Sequence, residues 1–178
     1  MSRLQIGEKA PEFSLPGVDG KAYSFADFRD KPVLVVMFTC NHCPYVQAYE
    51  DRLIQIQKDY ANRNVSLVAI NANDATNYPD DSFPNMVKRA KAKGYNFPYL
   101  RDENQAVAAA YGATYTPEIF VLDGDRRLRY AGRIDDNWQQ PKKATSHDLR
   151  NAIEALLNKQ PVPKAETHAI GCTVKWAK

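Results

Sequence analysis

The densest concentration of reactive chemistry in this sequence is the run Cys40, Asn41, His42, Cys43. Two cysteines separated by two residues close a small disulfide ring when the first turn of a helix brings their side chains together, so such a pair is suited to cycling between dithiol and disulfide. A thiol of ordinary acidity, pKa about 8.5, is only a few per cent ionised near neutrality, yet the thiolate is the nucleophile. Sulfur at a helix N-terminus meets unpaired backbone N–H groups and the positive end of the dipole, and both favour the thiolate. The expectation is that Cys40 is the more exposed, attacking sulfur and that Cys43, one turn inside, resolves the mixed disulfide. His42, when protonated, is expected to stabilise the Cys40 thiolate further.

The same spacing is also half a zinc site, and Cys40, His42 and Cys43 with help from Cys172 would suit Cu(I) or Zn(II). The chain has three cysteines in all and therefore no second pair of this kind, and so short a segment crowds its ligands. A metal carrier stays as an alternative to dithiol exchange, which needs no metal or organic cofactor. Cys172 has two readings of equal weight, a third redox thiol that folds back or a small buried hydrophobe. His147 and His168 lack ligand spacing to the motif and read as surface residues.

What must position the pair is a strand leading into a helix. Residues 33–38 (Val, Leu, Val, Val, Met, Phe) are unbroken apolar sequence, the pattern of a strand buried on both faces. After Cys43 and Pro44, Val46, Tyr49, Leu53, Ile56 and Tyr60 recur at helical spacing. Residues 65–70 form a second buried strand, so strand, helix and strand make a parallel crossover. Ahead of this core, Pro11, Pro16, Gly17 and Gly20 interrupt alternating apolar residues, which predicts a hairpin extension. Further on, Ser82 as N-cap and Gly94 as C′ residue bracket an inserted surface helix. A short strand over 97–100, a helix over 103–111 and a hairpin of 118–122 with 128–131 follow. The last helix is expected to begin at Ser146, with Leu149, Ile153, Leu156 and Leu157 on one face. Residues 1–159 read as one α/β domain with its N-terminal extension, and 160–178 as a tail, broken by Pro161 and Pro163, packed on or beside it.

Composition narrows the function classes. The chain's 178 residues are enough for one domain with an ample core, and a net charge of +3 from 24 Lys and Arg against 21 Asp and Glu is too small and dispersed for a phosphate-tracking surface. Nucleic acid is not an expected partner, and no apolar run is long enough to span a bilayer. Residues 1–11 carry Arg3, Glu8 and Lys9 and no apolar stretch, unlike a secretory signal. If the numbering starts at the natural initiator, the expected location is the cytoplasm, where any disulfide is transient.

Taken together, "GEKAPEFSLPGVDG", "VLVVMFTCNHCPY", "YGATYTPEIFVLDGD" and the closing "GCTVKW" resemble the thioredoxin superfamily, in its peroxiredoxin-like branch of the alkyl hydroperoxide reductase and thiol-specific antioxidant type. The resemblance covers almost the whole chain and implies a thioredoxin-like three-layer fold around a central mixed sheet. From residues alone, Pro117 is a proline at the first position of a strand, tolerated in trans. The resemblance implies instead a cis Thr116–Pro117 bond packed against the cysteines, with the backbone of Thr116 pairing with a substrate peptide. It further implies a redox-active disulfide, a disulfide-containing protein or low-molecular-weight thiol as substrate, and an electron donor that the sequence does not identify. Peroxide-reducing antioxidant activity is the alternative. Two departures bear on these implications. Aligned on Cys43, the threonine and proline of peroxiredoxins are replaced by Cys40 and Val36, and the buried carboxylate of thioredoxins has no counterpart in residues 33–38.

Overall fold

A strand covered on both faces can be apolar at every position, and Val33–Thr39 is buried along its whole length. The structure, a computed structural model, describes residues 3–178; Met1 and Ser2, part of the extension read from the sequence, lie outside the described residues. In chain order the strands are β1 (Ser14–Pro16), β2 (Ala22–Ser24), β3 (Val33–Thr39), β4 (Val65–Asn71), β5 (Tyr99–Arg101), β6 (Tyr115–Thr116), β7 (Glu118–Leu122), β8 (Leu128–Gly132) and β9 (Cys172–Thr173). The α-helices are α1 (Pro44–Tyr60), α2 (Phe83–Lys93), α3 (Ala106–Tyr111) and α4 (Asp148–Leu157).

The main sheet runs β5-β4-β3-β7-β8. Strands β3, β4 and β5 are parallel, whereas β7 is antiparallel to both β3 and β8, giving the expected mixed sheet. Side chains alternate across a strand. Val33, Val35 and Met37 therefore pack with Tyr49, Leu53 and Ile56 of α1, Met86 of α2 and Leu149 and Ile153 of α4. On the opposite face Leu34, Val36 and Phe38 pack with Ala108 and Tyr111 of α3 and with Phe13 and Phe28. The result is the three-layer thioredoxin-like arrangement, with β1 and β2 as the N-terminal hairpin.

Local signals succeed where the cap chemistry is unambiguous. Ser82 Oγ accepts from Asn85 N at 3.4 Å, and Gly94 ends α2 in the left-handed region at φ 67°. They slip where a side chain has a competing partner. Ser146 donates to Asp148 Oδ1 at 2.8 Å instead of capping, so α4 begins at Asp148 rather than Ser146. Asp102 receives the N–H groups of Val107 and Ala108, so α3 starts at Ala106 rather than at 103.

The tail lies along the domain in two stages. Thr167 N donates to Ala131 O at 3.1 Å and Ala131 N to Ala165 O at 3.0 Å, holding the first stage to the edge of β8. The second stage is β9, antiparallel to β6 with Thr116 opposite Cys172. Beyond it, Lys175 N donates to Asn73 Oδ1 at 2.9 Å and Gln105 Nε2 to Lys175 O at 2.9 Å.

Candidate functional site

The strand-to-helix junction arises from three local facts. Strand β3 ends at Thr39, Cys40, Asn41 and His42 turn the chain, and Cys43 takes the N-cap position of α1 with extended dihedrals. Pro44 sits at N1, where its missing N–H costs nothing and its fixed φ suits a helix. Cys40 and Cys43 then share a small apolar cluster with Val46, against which Tyr45 and Cys172 pack.

Both motif sulfurs are enclosed. Cys40 is 1% exposed and Cys43 3%, so the expectation that Cys40 is the more exposed is not met. Cys40 is roofed by the loop before β7, its Sγ 3.5 Å from Thr116 Oγ1. Cys43 Sγ lies 3.5 Å from Thr116 O and 2.7 Å from Cys172 Sγ, all three thiols being free. Thr116 and Pro117 are where the resemblance placed them, joined by a cis peptide bond beside the sulfurs. The edge of Thr116 expected to take a substrate peptide is already paired, by the protein's own β9. Gly171 permits that pairing, because a Cβ there would stand 2.1 Å from Thr116 O.

The three sulfurs divide their protons unequally. The Cys40 thiol, hydrogen bonding to Cys43, pulls the Cys43 thiol down to about 5 against the opposing effect of burial, with further pulls from the Cys172 thiol and the nearby backbone amides of Val46 and Cys172. The same Cys43 hydrogen bond, with burial, pushes Cys40 up, and Thr116 offsets only part of this. Burial first and the Cys43 contact second push Cys172 up to about 11. The thiolate of the trio therefore belongs to Cys43.

His42 does not turn toward the sulfurs for its close partner. Its Nδ1 lies 3.0 Å from Asp81 Oδ2 without hydrogen-bond geometry, and its ring stacks on Tyr78 at 6.5 Å. Asp81 is the residue that sequence reading missed. Fully buried, it accepts from Asn41 N at 2.7 Å, Asn71 Nδ2 at 3.1 Å and Asn73 Nδ2 at 3.1 Å, and its negative charge bears on Cys40. Tyr99 completes the network, donating to Asn41 Oδ1 at 2.7 Å. A buried carboxylate, which β3 lacks, is thus present in the 3-10 turn Pro79–Asp81. The sequence signal that could have pointed to it is the polar run Asn71, Ala72, Asn73 at the end of β4, whose two amides are aimed at this one acid. Asp81→Asn places an amide NH2 against these donors and is expected to cost about 2 kcal/mol or more in denaturant unfolding, since a buried donor is left facing donors. An unchanged midpoint would show the network to be dispensable.

Glu118 is a second missed carboxylate. Buried just after Pro117, it accepts from Thr114 N at 2.7 Å and Tyr115 N at 3.1 Å and pairs with the Arg3 guanidinium, fixing the loop that carries Thr116. Among the described residues no group of three or more Cys, His, Asp or Glu side chains is arranged to hold a metal ion.

Comparison with known proteins agrees with this fold. A family model described as Redoxin matches residues 5–153. The crystal structure of a hypothetical protein, SMc02350 from Sinorhizobium meliloti 1021, is 40% identical and superposes with a TM-score of 0.93 over 99% of this chain and 97% of that one. The thiol-disulfide oxidoreductase ResA of Bacillus thuringiensis (strain Al Hakam) is 27% identical over 128 residues, 71% of this chain and 68% of its own length. The crystal structure of peroxidoxin BcpB from Mycobacterium tuberculosis, 18% identical, shares the fold at a TM-score of 0.63 over 88% of this chain and 96% of that one.

Proposed function

The chain belongs to the Redoxin family, and from that premise we propose that it is a thiol-disulfide oxidoreductase exchanging a Cys40–Cys43 disulfide with thiols of proteins or small molecules. The observation that carries the reading is the meeting of Cys40 and Cys43 at the start of α1 against the cis Thr116–Pro117 bond, where neighbouring thiols pull the Cys43 thiol down. The Cys43 thiolate attacks one sulfur of a substrate disulfide. That S–S bond breaks, its electron pair leaves with the other substrate sulfur, and a mixed disulfide remains on Cys43. Cys40 then attacks Cys43 Sγ, and the second substrate thiolate departs. Two electrons have passed from the dithiol to the substrate, and a donor thiol restores the pair by the same steps in reverse. The attacking and resolving roles are the reverse of those expected from sequence, because the more deeply buried Cys40 holds its proton. The chemistry requires neither metal nor organic cofactor, and the charge of the buried Asp81 bears on Cys40 and favours its protonated form. The cytoplasm is the proposed setting, since cysteines arranged for cycling suit a reducing compartment.

Titration of the protein with glutathione buffers of graded potential tests this. The expected result is a two-electron transition in which Cys40 and Cys43 pass together from alkylatable thiols to a disulfide. Thiols that stay reduced while glutathione is oxidised would sink the proposal.

A second reading, thiol peroxidase, draws on the same Cys43 thiolate, which a peroxide would oxidise to sulfenic acid for Cys40 to condense with. Cys40 and Val36 stand where peroxiredoxins carry their threonine and proline, so the expected dithiothreitol-driven peroxide consumption is that of a free thiol. A rate far above that would move the second reading into first place.

A further inference from the structure

With β9 in place, two sulfurs of the trio are sealed and one is not: Cys40 and Cys43 are buried, while Cys172 is partly exposed. Its Sγ stands 2.7 Å from Cys43 Sγ, although 129 positions separate the two residues in sequence. That placement is held by structure independent of the sulfurs. Strand pairing sets Cys172 opposite Thr116, Val174 N donates to Thr114 O at 2.8 Å, Asp74 N donates to Lys175 O at 2.7 Å, and Ala177 N donates to Gln105 Oε1 at 2.9 Å. Gly171 allows the backbone to approach closely enough. A cysteine fixed against a reactive thiolate from a strand that covers it is placed for exchange.

We infer that Cys172 is a third redox thiol, the solvent-side end of a relay in which the Cys40–Cys43 disulfide passes to Cys43–Cys172 and is reduced there by an external thiol. This rests on the proposed dithiol exchange and adds the route by which electrons enter a buried pair. In the first step the Cys172 thiolate attacks Cys43 Sγ. The Cys40–Cys43 bond breaks, its electron pair goes to Cys40 Sγ, which takes up a proton, and there is no net oxidation. In the second step a donor thiolate attacks Cys172 Sγ from solvent and the Cys43–Cys172 bond breaks with Cys43 as leaving group. A low-pKa thiolate leaves fastest, and Cys43 is the one thiol of the three whose pKa is lowered. A second donor thiol then clears the mixed disulfide from Cys172, so two electrons enter in total. The strand that occupies the expected substrate edge is thereby part of the redox machinery.

Two variants test the relay. Cys40→Ser, treated with oxidised glutathione, quenched by alkylation and mapped by peptide mass spectrometry, is expected to hold mainly a Cys43–Cys172 disulfide. Cys43 retained as a glutathione adduct with Cys172 alkylated would overturn the relay. Cys172→Ser is expected to form the Cys40–Cys43 disulfide but to be reduced by glutathione at least about tenfold more slowly than the unaltered protein. An unchanged reduction rate also overturns the relay and leaves the dithiol reading intact. Absence of the Cys40–Cys43 disulfide from both Cys172→Ser and the unaltered protein would instead remove the dithiol reading, and the relay with it.

Discussion

Serine at position 43 is expected to reduce thiol-disulfide turnover at least about a hundredfold, to the level of a free thiol, whereas serine at 40 costs less. The asymmetry follows from position. Cys43 is the common neighbour of Cys40 and Cys172, so its removal leaves neither close sulfur pair, while removal of Cys40 leaves Cys43 with Cys172. It also removes the one thiolate: with a pKa of about 5, Cys43 is almost fully ionised at neutrality, where an ordinary thiol is only a few per cent so. The ultraviolet absorbance of the reduced protein is accordingly expected to show one thiolate titrating near pH 5, lost in Cys43→Ser and retained in Cys172→Ser with a higher midpoint.

The sign of the linked stability change is fixed by the same shift. The folded pKa lies below the ordinary thiol value of about 8.5, so the Cys43 thiolate stabilises the reduced fold. That contribution is complete above about 8.5 and is lost as pH falls through about 5. Cys40 and Cys172 are shifted upward and act in the opposite sense, above the ordinary value, where unfolded thiols ionise and these do not. Stability of the reduced protein against denaturant should rise from pH 5 to pH 8 relative to Cys43→Ser. Equal pH dependence in the two proteins, or turnover by Cys43→Ser within a few-fold of the unaltered protein, would move the nucleophile elsewhere.

Valine at position 171 is expected to open the site. A Cβ there meets Thr116 O at 2.1 Å and Thr116 C at 2.6 Å, and both are backbone atoms of a loop pinned by Glu118. Neither can yield as a flexible side chain would, so β9 must leave β6. Its hydrogen bonds are few and lie at the chain end, where opening is cheap compared with global unfolding. The rate of Cys43 alkylation in the reduced protein is then expected to rise at least about tenfold at neutral pH. The unfolding midpoint should shift little, because the five-stranded sheet is untouched. Oxidised Gly171→Val should contain the Cys40–Cys43 disulfide and little Cys43–Cys172. Alkylation at the unaltered rate would mean that the tail does not gate the sulfurs.

Much of the fold was legible because its signals are local. Residues 33–38 are apolar at every position, so a doubly covered strand was the only reading, and α2 was bracketed by Ser82 and Gly94. Boundaries moved by a few residues where a nearby carboxylate intervened, Asp102 by taking the first N–H groups of α3 and Asp148 by engaging the Ser146 hydroxyl. The site was half legible. Cys40, Cys43, Thr116 and Pro117 were placed together, but His42 was assigned to the sulfurs and lies against Asp81. Asp81 itself stands next to Asp80 in a proline-containing turn, where no local pattern signals its burial. Asp135 likewise is buried, with Tyr49 and Arg52 on its oxygens, through contacts far away in sequence.

By itself the sequence determined which segments become strand and helix, that two cysteines meet where one turns into the other, and hence the class of chemistry. These depend on side-chain periodicity, capping and spacing within a few residues. Only the tertiary structure decided which sulfur carries the charge, which carboxylate bears on its partner Cys40, and that Cys172 closes over the pair. Each of those is a distance between groups from well-separated parts of the chain, and burial and hydrogen bonding at such distances set a thiol's acidity and reach.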